Sequence, residues 1–148
     1  MFNEDSIEID AARQLVWDVF TDVEHWPDWT ASVTSLVGLD GPELAVGRRF
    51  AIKQPGMQKL VWQVTELDPG TSWTWVQRSP GALVTARHDV TSQPGGRTLV
   101  RQQLDQSGLL GAFVGRLMAK KTKRFLELEA QGLKARSEQL SRANGPHP

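Results

Sequence analysis

The chain has 148 residues, 17 basic and 17 acidic side chains, and no cysteine. That length suits one domain with its own core, while a formal charge of zero gives no electrostatic ground for nucleic-acid binding. The missing thiols exclude disulfides, thiolate catalysis and cysteine-ligated zinc.

The start, MFNEDSIEID, is acidic and has no apolar core, so no signal peptide is expected. No run reaches the length of a membrane-spanning helix, and a soluble, cytoplasmic protein without stable membrane insertion is the expectation. Ser6 to Ile9 alternates polar and apolar residues and predicts a short strand with Ile7 and Ile9 on one face. Asp10 is placed to cap a following helix. In that helix Ala12, Leu15, Val16, Val19 and Phe20 form the inward face, and Arg13, Gln14 and Asp18 look outward. Val23 to Trp26 reads as a second short helix ended by Pro27, which disfavours helix in the residue before it.

From Ala31 to Asp105 the apolar period becomes two. Six runs are separated by Gly41-Pro42, Pro55-Gly56, Pro69-Gly70, Pro80-Gly81 and Pro94-Gly95-Gly96. Their expected inward sets are Val33, Ser35, Val37 and Leu39; Arg48, Phe50 and Ile52; Leu60, Trp62 and Val64; Trp73 and Trp75; Ala82, Val84, Ala86, His88 and Val90; and Thr98, Val100, Gln102 and Leu104. The alternate positions, such as Lys53, Gln63, Arg78, Arg87, Asp89, Arg101 and Gln103, are polar. An antiparallel meander with one wet face follows.

Gly108 to about Leu140 lacks proline and predicts one long helix, with Leu110, Val114, Leu117, Lys121, Phe125, Leu128 and Gly132 along one row. Some 30 residues would span roughly 45 Å, so this helix must lie across something wide. A sheet with one wet face needs a cover for the other. The element order therefore predicts an α+β fold in which a curved antiparallel sheet of about seven strands meets a long C-terminal helix. It forms a single domain over residues 1–140, and SRANGPHP reads as a frayed, disordered tail over 141–148.

Several phrases sharpen this reading. Ile9-Asp10-Ala11 leads into Leu15-Val16-Trp17-Asp18-Val19-Phe20-Thr21-Asp22, followed by His25-Trp26-Pro27-Asp28-Trp29. Val64-Thr65-Glu66-Leu67-Asp68-Pro69-Gly70, Gly95-Gly96-Arg97-Thr98 and Leu133-Lys134-Ala135-Arg136-Ser137-Glu138 come later. In this order they resemble the helix-grip superfamily, which includes START lipid-transfer domains and the birch-pollen-allergen fold. The likeness spans about residues 3 to 140 and is nearest to the small bacterial polyketide cyclase/dehydrase, or SRPBCC, branch. The resemblance implies an apolar cavity between sheet and helix. Members bind lipids, sterols, plant hormones or polyketides, and some catalyse cyclisation or dehydration, so fold alone does not set function.

Six tryptophans and no tyrosine concentrate apolar area in a side chain with one N–H to satisfy. Trp62, Trp73 and Trp75 on the inner sheet face would line a pocket or fill a core. Trp26 and Trp29 read as anchors or a lid for the short helices. His88 points inward by alternation, as a hydrogen-bonded core residue or as a ligand contact and weak catalytic acid/base candidate. Gln102 carries the same two readings. Lys121 interrupts the helix row: it snorkels along its stem or reaches an anionic group in the cavity, since an unpaired buried charge is costly. Glu127 could pair with Lys123 one turn away.

The ligand-binding set is then Phe50, Trp62, Val64, Trp73, Trp75, His88, Gln102, Met118 and Lys121. No nucleophile elbow, metal-binding helix, phosphate loop or dinucleotide fingerprint occurs. His25, His88 and His147 lack metal-ligand spacing, and neither cofactor nor metal is expected. Three readings stay open. They are binding or transport of a small hydrophobic ligand, a polyketide-type cyclase or dehydratase using His88 with Lys121 or Gln102, and a regulatory or stress role through a protein partner.

Overall fold

Period-two alternation governs most of the chain, and it closes into one sheet. The computed structural model describes residues 1–144. The strands are β1 (Phe2–Ile9), β2 (Ser35–Gly38), β3 (Arg49–Lys53), β4 (Leu60–Asp68), β5 (Ser72–Ser79), β6 (Ala82–Gln93) and β7 (Arg97–Ser107). All pair antiparallel in the order β1-β7-β6-β5-β4-β3-β2. The meander runs from β2 to β7, and β1 joins beside the last strand, with Ile9 opposite Thr98. Helix α1 (Arg13–Thr21) and a 3-10 segment (Val23–Asp28) follow β1, and α2 (Leu109–Leu117) and α3 (Ala119–Ala143) follow β7. This is the expected α+β helix-grip architecture.

Several local expectations are corrected. β1 starts at Phe2, earlier than Ser6, because its whole length pairs with β7. Asp10 does not cap α1. Ala12 holds that position without a side-chain hydrogen bond, and the Asp10 backbone N–H instead donates to Glu138 Oε2 at 2.8 Å. Val16, Trp17 and Phe20 are the buried residues of α1, so Trp17 joins the inward face while Ala12 is exposed. In β2 the phase is shifted by one. Leu36 is buried opposite Ile52, whereas Val37 and Leu39 are 53% and 47% exposed. A one-residue slip reverses every side chain of a strand, and four residues at an edge hold the register weakly.

The terminal helix also differs from its expected form. Met118 (φ −98°, ψ 7°) separates α2 from α3. α2 packs on β6 and β7, while α3 packs on β1 and α1. One straight rod cannot follow both surfaces of a twisted sheet. The row Leu110, Val114, Leu117 is therefore not a buried one: these side chains are 53%, 45% and 71% exposed. Phe125, Leu128 and Gly132 are half-buried. α3 instead buries Leu126, Glu129, Ala130, Leu133 and Ser137. It also continues to Ala143, past the expected end at Leu140. The rest of the predicted tail, from Gly145 with His147, lies outside the described residues.

Two glycines seat α2. Gly81 (φ 74°) and Gly108 (φ 86°) hold the left-handed region, and the Gly81 carbonyl accepts from the Leu110 N–H at 3.0 Å. A Cβ on Gly108 would lie 2.5 Å from the Gly81 oxygen. At the other end α3 is tied to β1 by Lys134 Nζ, which donates to the Glu8 carbonyl (3.1 Å) and to Glu138 Oε2 (2.6 Å). The core lies where α1, the 3-10 segment and α3 meet the inner sheet face. Phe20, Trp26, Trp73 and Leu133 are almost completely buried there.

Candidate functional site

Core packing does not fill the whole interior. Between the inner sheet face and the α2–α3 pair lies a cavity of about 420 Å³. The alternation of β5 turns Trp75 and Gln77 into it, and the neighbouring strands add Ile52, Leu60, Trp62, Ala86 and Leu104. Leu110, Val114, Met118, Phe125 and Leu126 form the helical wall. The polar lining comprises Gln77, His88, Gln102, Gln106, Lys121 and Glu129, among others.

Of the expected site residues, Trp62, Trp75, His88, Gln102, Met118 and Lys121 line this space. Phe50, Val64 and Trp73 do not. They sit in the packed core at 0%, 1% and 0% exposure. Their alternation is inward as expected, but the core packs over them, and over Trp73 it does so with α1 and the 3-10 segment. Trp73 shows this: its indole lies 4.7 Å from the Phe20 ring and 6.4 Å from Trp26. Trp26 is an anchor and a wall at once. Its Nε1 donates to the Phe20 carbonyl at 2.8 Å, and its ring lines the cavity 5.8 Å from Trp75. Trp29 packs instead on α3 at Gly132.

His88 is 3% exposed. Its ring stacks on Trp73 with centroids 3.9 Å apart, and its Nδ1 lies 3.2 Å from the Trp73 carbonyl oxygen. Burial pulls its pKa down to about 3, against the smaller opposing effect of that hydrogen bond. The ring is therefore neutral at ordinary pH, with Nδ1–H assigned as donor to the carbonyl. Gln102 ties β7 to α3 through a long contact from Nε2 to the Leu126 carbonyl, at 3.5 Å.

Lys121 is half-buried. Its stem lines the cavity, while its ammonium lies 5.7 Å from the Phe125 ring centroid and beside Gly56 in the β3–β4 turn. The expected Lys123–Glu127 pair is not formed; Arg124 approaches Glu127 at 3.9 Å.

The residue missing from the expected set is Glu129. It is 8% exposed and lines the cavity. Burial, then the carboxyl of Asp5 on β1, push its pKa up to about 8. The row Leu126, Ala130, Leu133, Ser137 was a signal for it, since Glu129 falls on that face. Joining α2 and α3 into one helix concealed that row. Gln77 and Gln106 were also missed, although each continues the inward alternation of its strand.

Among the described residues, no helix is long and apolar enough to cross a membrane. The family model for polyketide cyclase / dehydrase and lipid transport matches residues 4–138. No curated protein matches the sequence. Solved structures similar in fold include an aromatase/cyclase, Zhui, from Streptomyces sp. R1128, at 17% identity, TM-score 0.79 and 99% coverage of each chain. A START superfamily protein from Mycobacterium smegmatis has 19% identity and TM-score 0.71, covering 94% of this chain and 98% of its own. Truncated norcoclaurine synthase from Thalictrum flavum has 12% identity and TM-score 0.72, covering 90% of this chain and 91% of its own. At these identities the likeness concerns the fold.

Proposed function

The chain belongs to the polyketide cyclase / dehydrase and lipid transport family, and on that premise we propose that it binds a small hydrophobic molecule, lipid-like or aromatic, between sheet and helices. One observation carries the reading: an unfilled interior of about 420 Å³ walled mainly by apolar and aromatic side chains. Protein interiors are otherwise close-packed, and drug-sized ligands occupy cavities of roughly 300–1,000 Å³ with a few polar groups in an apolar lining. Trp26, Trp62 and Trp75 offer ring faces, and Gln77, Gln102 and His88 offer uncharged polar atoms. The binding set proposed is therefore Trp26, Trp62, Trp75, His88, Gln102, Met118 and Lys121, with Phe50, Val64 and Trp73 as support.

Native mass spectrometry of gently purified protein tests this. A co-purified small apolar molecule is expected, or saturable binding of a hydrophobic dye after delipidation. Absence of both would count against the proposal.

Cyclisation or dehydration of a polyketide-type substrate, with His88 as acid or base, has less support. A histidine with pKa near 3 is a poor proton carrier at neutral pH. A role exercised only through a protein partner gives no use to the unfilled interior.

A further inference from the structure

Glu129 stands on the inward face of α3, is 8% exposed and borders the cavity. Two carboxylates elsewhere in the fold have cations or N–H donors. Glu138 accepts from Lys134 and from the Asp10 backbone, and Asp89 pairs with Arg87 at 3.0 Å. The influences on Glu129 are burial and the Asp5 carboxyl, and both favour its protonated form. Asp5 itself faces Glu127 and Lys123. β7 presents the amides Gln102 and Gln106 to the cavity, and α2 adds no titratable lining group. β6 adds His88, which is neutral, and Arg87, which is paired with Asp89, while α3 adds Lys121. α1 buries Val16, Trp17 and Phe20, which carry no charge. A protonated carboxyl is a hydrogen-bond donor, and among the described residues no hydrogen bond acts on this one.

We propose that Glu129 is the polar anchor of the site, its carboxyl O–H donating to a carbonyl oxygen on an otherwise apolar ligand. This rests on the ligand-binding reading above and specifies the ligand's polar group. The charges around Glu129 favour an uncharged acceptor. Lys121 and Arg87 in the lining disfavour an ammonium group, and the Asp5 carboxyl that acts on Glu129 disfavours a carboxylate next to it. A ketone meets neither objection.

The test compares methyl naphthyl ketone with isopropenylnaphthalene, which has the same shape with a methylene in place of the oxygen. Both displace N-phenylnaphthylamine from the native protein, E129Q and E129L, at about pH 6 and about pH 9.5, on either side of the titration. The native protein should prefer the ketone about tenfold at the lower pH and lose that preference at the higher pH. E129Q keeps a donor that does not titrate, so its preference should persist at both. E129L should bind both probes alike.

Equal affinity of the two probes for the native protein, or an undiminished ketone preference in E129L, overturns the assignment and leaves ligand binding intact. A preference that grows with pH also overturns it. Failure of the protein to hold either probe or the fluorophore overturns the ligand-binding reading, and this inference with it. Thermal melts show whether each variant folds. If E129L does not, E129Q still decides, since a pH dependence equal to the native one overturns the assignment.

Discussion

The imidazole of His88 lies flat on the indole of Trp73, with planes 11° from parallel, and its Nδ1–H donates to the Trp73 carbonyl oxygen. The two residues are direct cross-strand neighbours on β5 and β6. Trp73 belongs to the packed core and His88 to the cavity wall, so this pair is where the filled and open halves of the interior join.

His88→Ala removes a stacked ring and leaves a void against Trp73. The expected cost is about 2–4 kcal/mol in urea-induced unfolding. A variant of native stability that had lost a catalytic turnover would instead return His88 to the role of acid or base.

The pH dependence of stability carries two opposed contributions. His88 has an ordinary value of 6.5 lowered to about 3. The unfolded chain binds its proton first, so stability falls as pH drops from about 6.5 towards 3. Glu129 has an ordinary value of 4.5 raised to about 8. Its folded form keeps a proton that the unfolded chain has released, so stability falls as pH rises from about 4.5 to 8. Each slope is at most about 1.4 kcal/mol per pH unit. Together they predict a flat maximum between about 4.5 and 6.5 from these two groups. Glu129→Gln should remove the alkaline decline, leaving stability still rising up to the histidine value. Denaturant midpoints across pH measure this; an unchanged alkaline limb in the variant contradicts it.

Gly132→Ala should destabilise the protein despite alanine's better helix propensity, which is worth about 1 kcal/mol. A Cβ there would lie 2.0 Å from the Trp29 carbonyl oxygen and 3.1 Å from the Trp29 ring. Backbone cannot yield as a side-chain tip can, and overpacking costs about 1–3 kcal/mol or more. A raised melting temperature would show that the 3-10 segment moves aside.

Leu109→Gln and Leu117→Gln should change stability by no more than about 0.5 kcal/mol, because these side chains are 93% and 71% exposed. Leu133→Ala, on the fully buried face of α3, should cost about 2–5 kcal/mol. Comparable losses at Leu117 and Leu133 would mean that the buried row is the one read from a single continuous helix.

These contrasts separate what was legible in the chain from what was not. Strand membership, strand count and the inward direction of Trp62, Trp75, His88 and Gln102 are readable because a strand offers only two side-chain phases. Long strands between Pro/Gly turns make the choice plain. The four-residue edge strand β2 escaped that rule: its local alternation favoured Val37, and only pairing with β3 turned Leu36 inward.

Helix phase is a different problem. Residues 109–143 present apolar side chains on more than one face, so periodicity alone allowed two rows. The row through Leu126, Ala130 and Leu133 includes Glu129 and leaves out Glu127, but nothing local says that this row is the one that meets the sheet. The sequence by itself determined the meander, the covering helical region and the family's fold. The tertiary structure alone decided the break at Met118, the rotation of α3 and hence the burial of Glu129. The physical reason is that burial of a helical residue depends on the surface that the helix meets, and here that surface is assembled mainly from β1 and α1, far away in the chain.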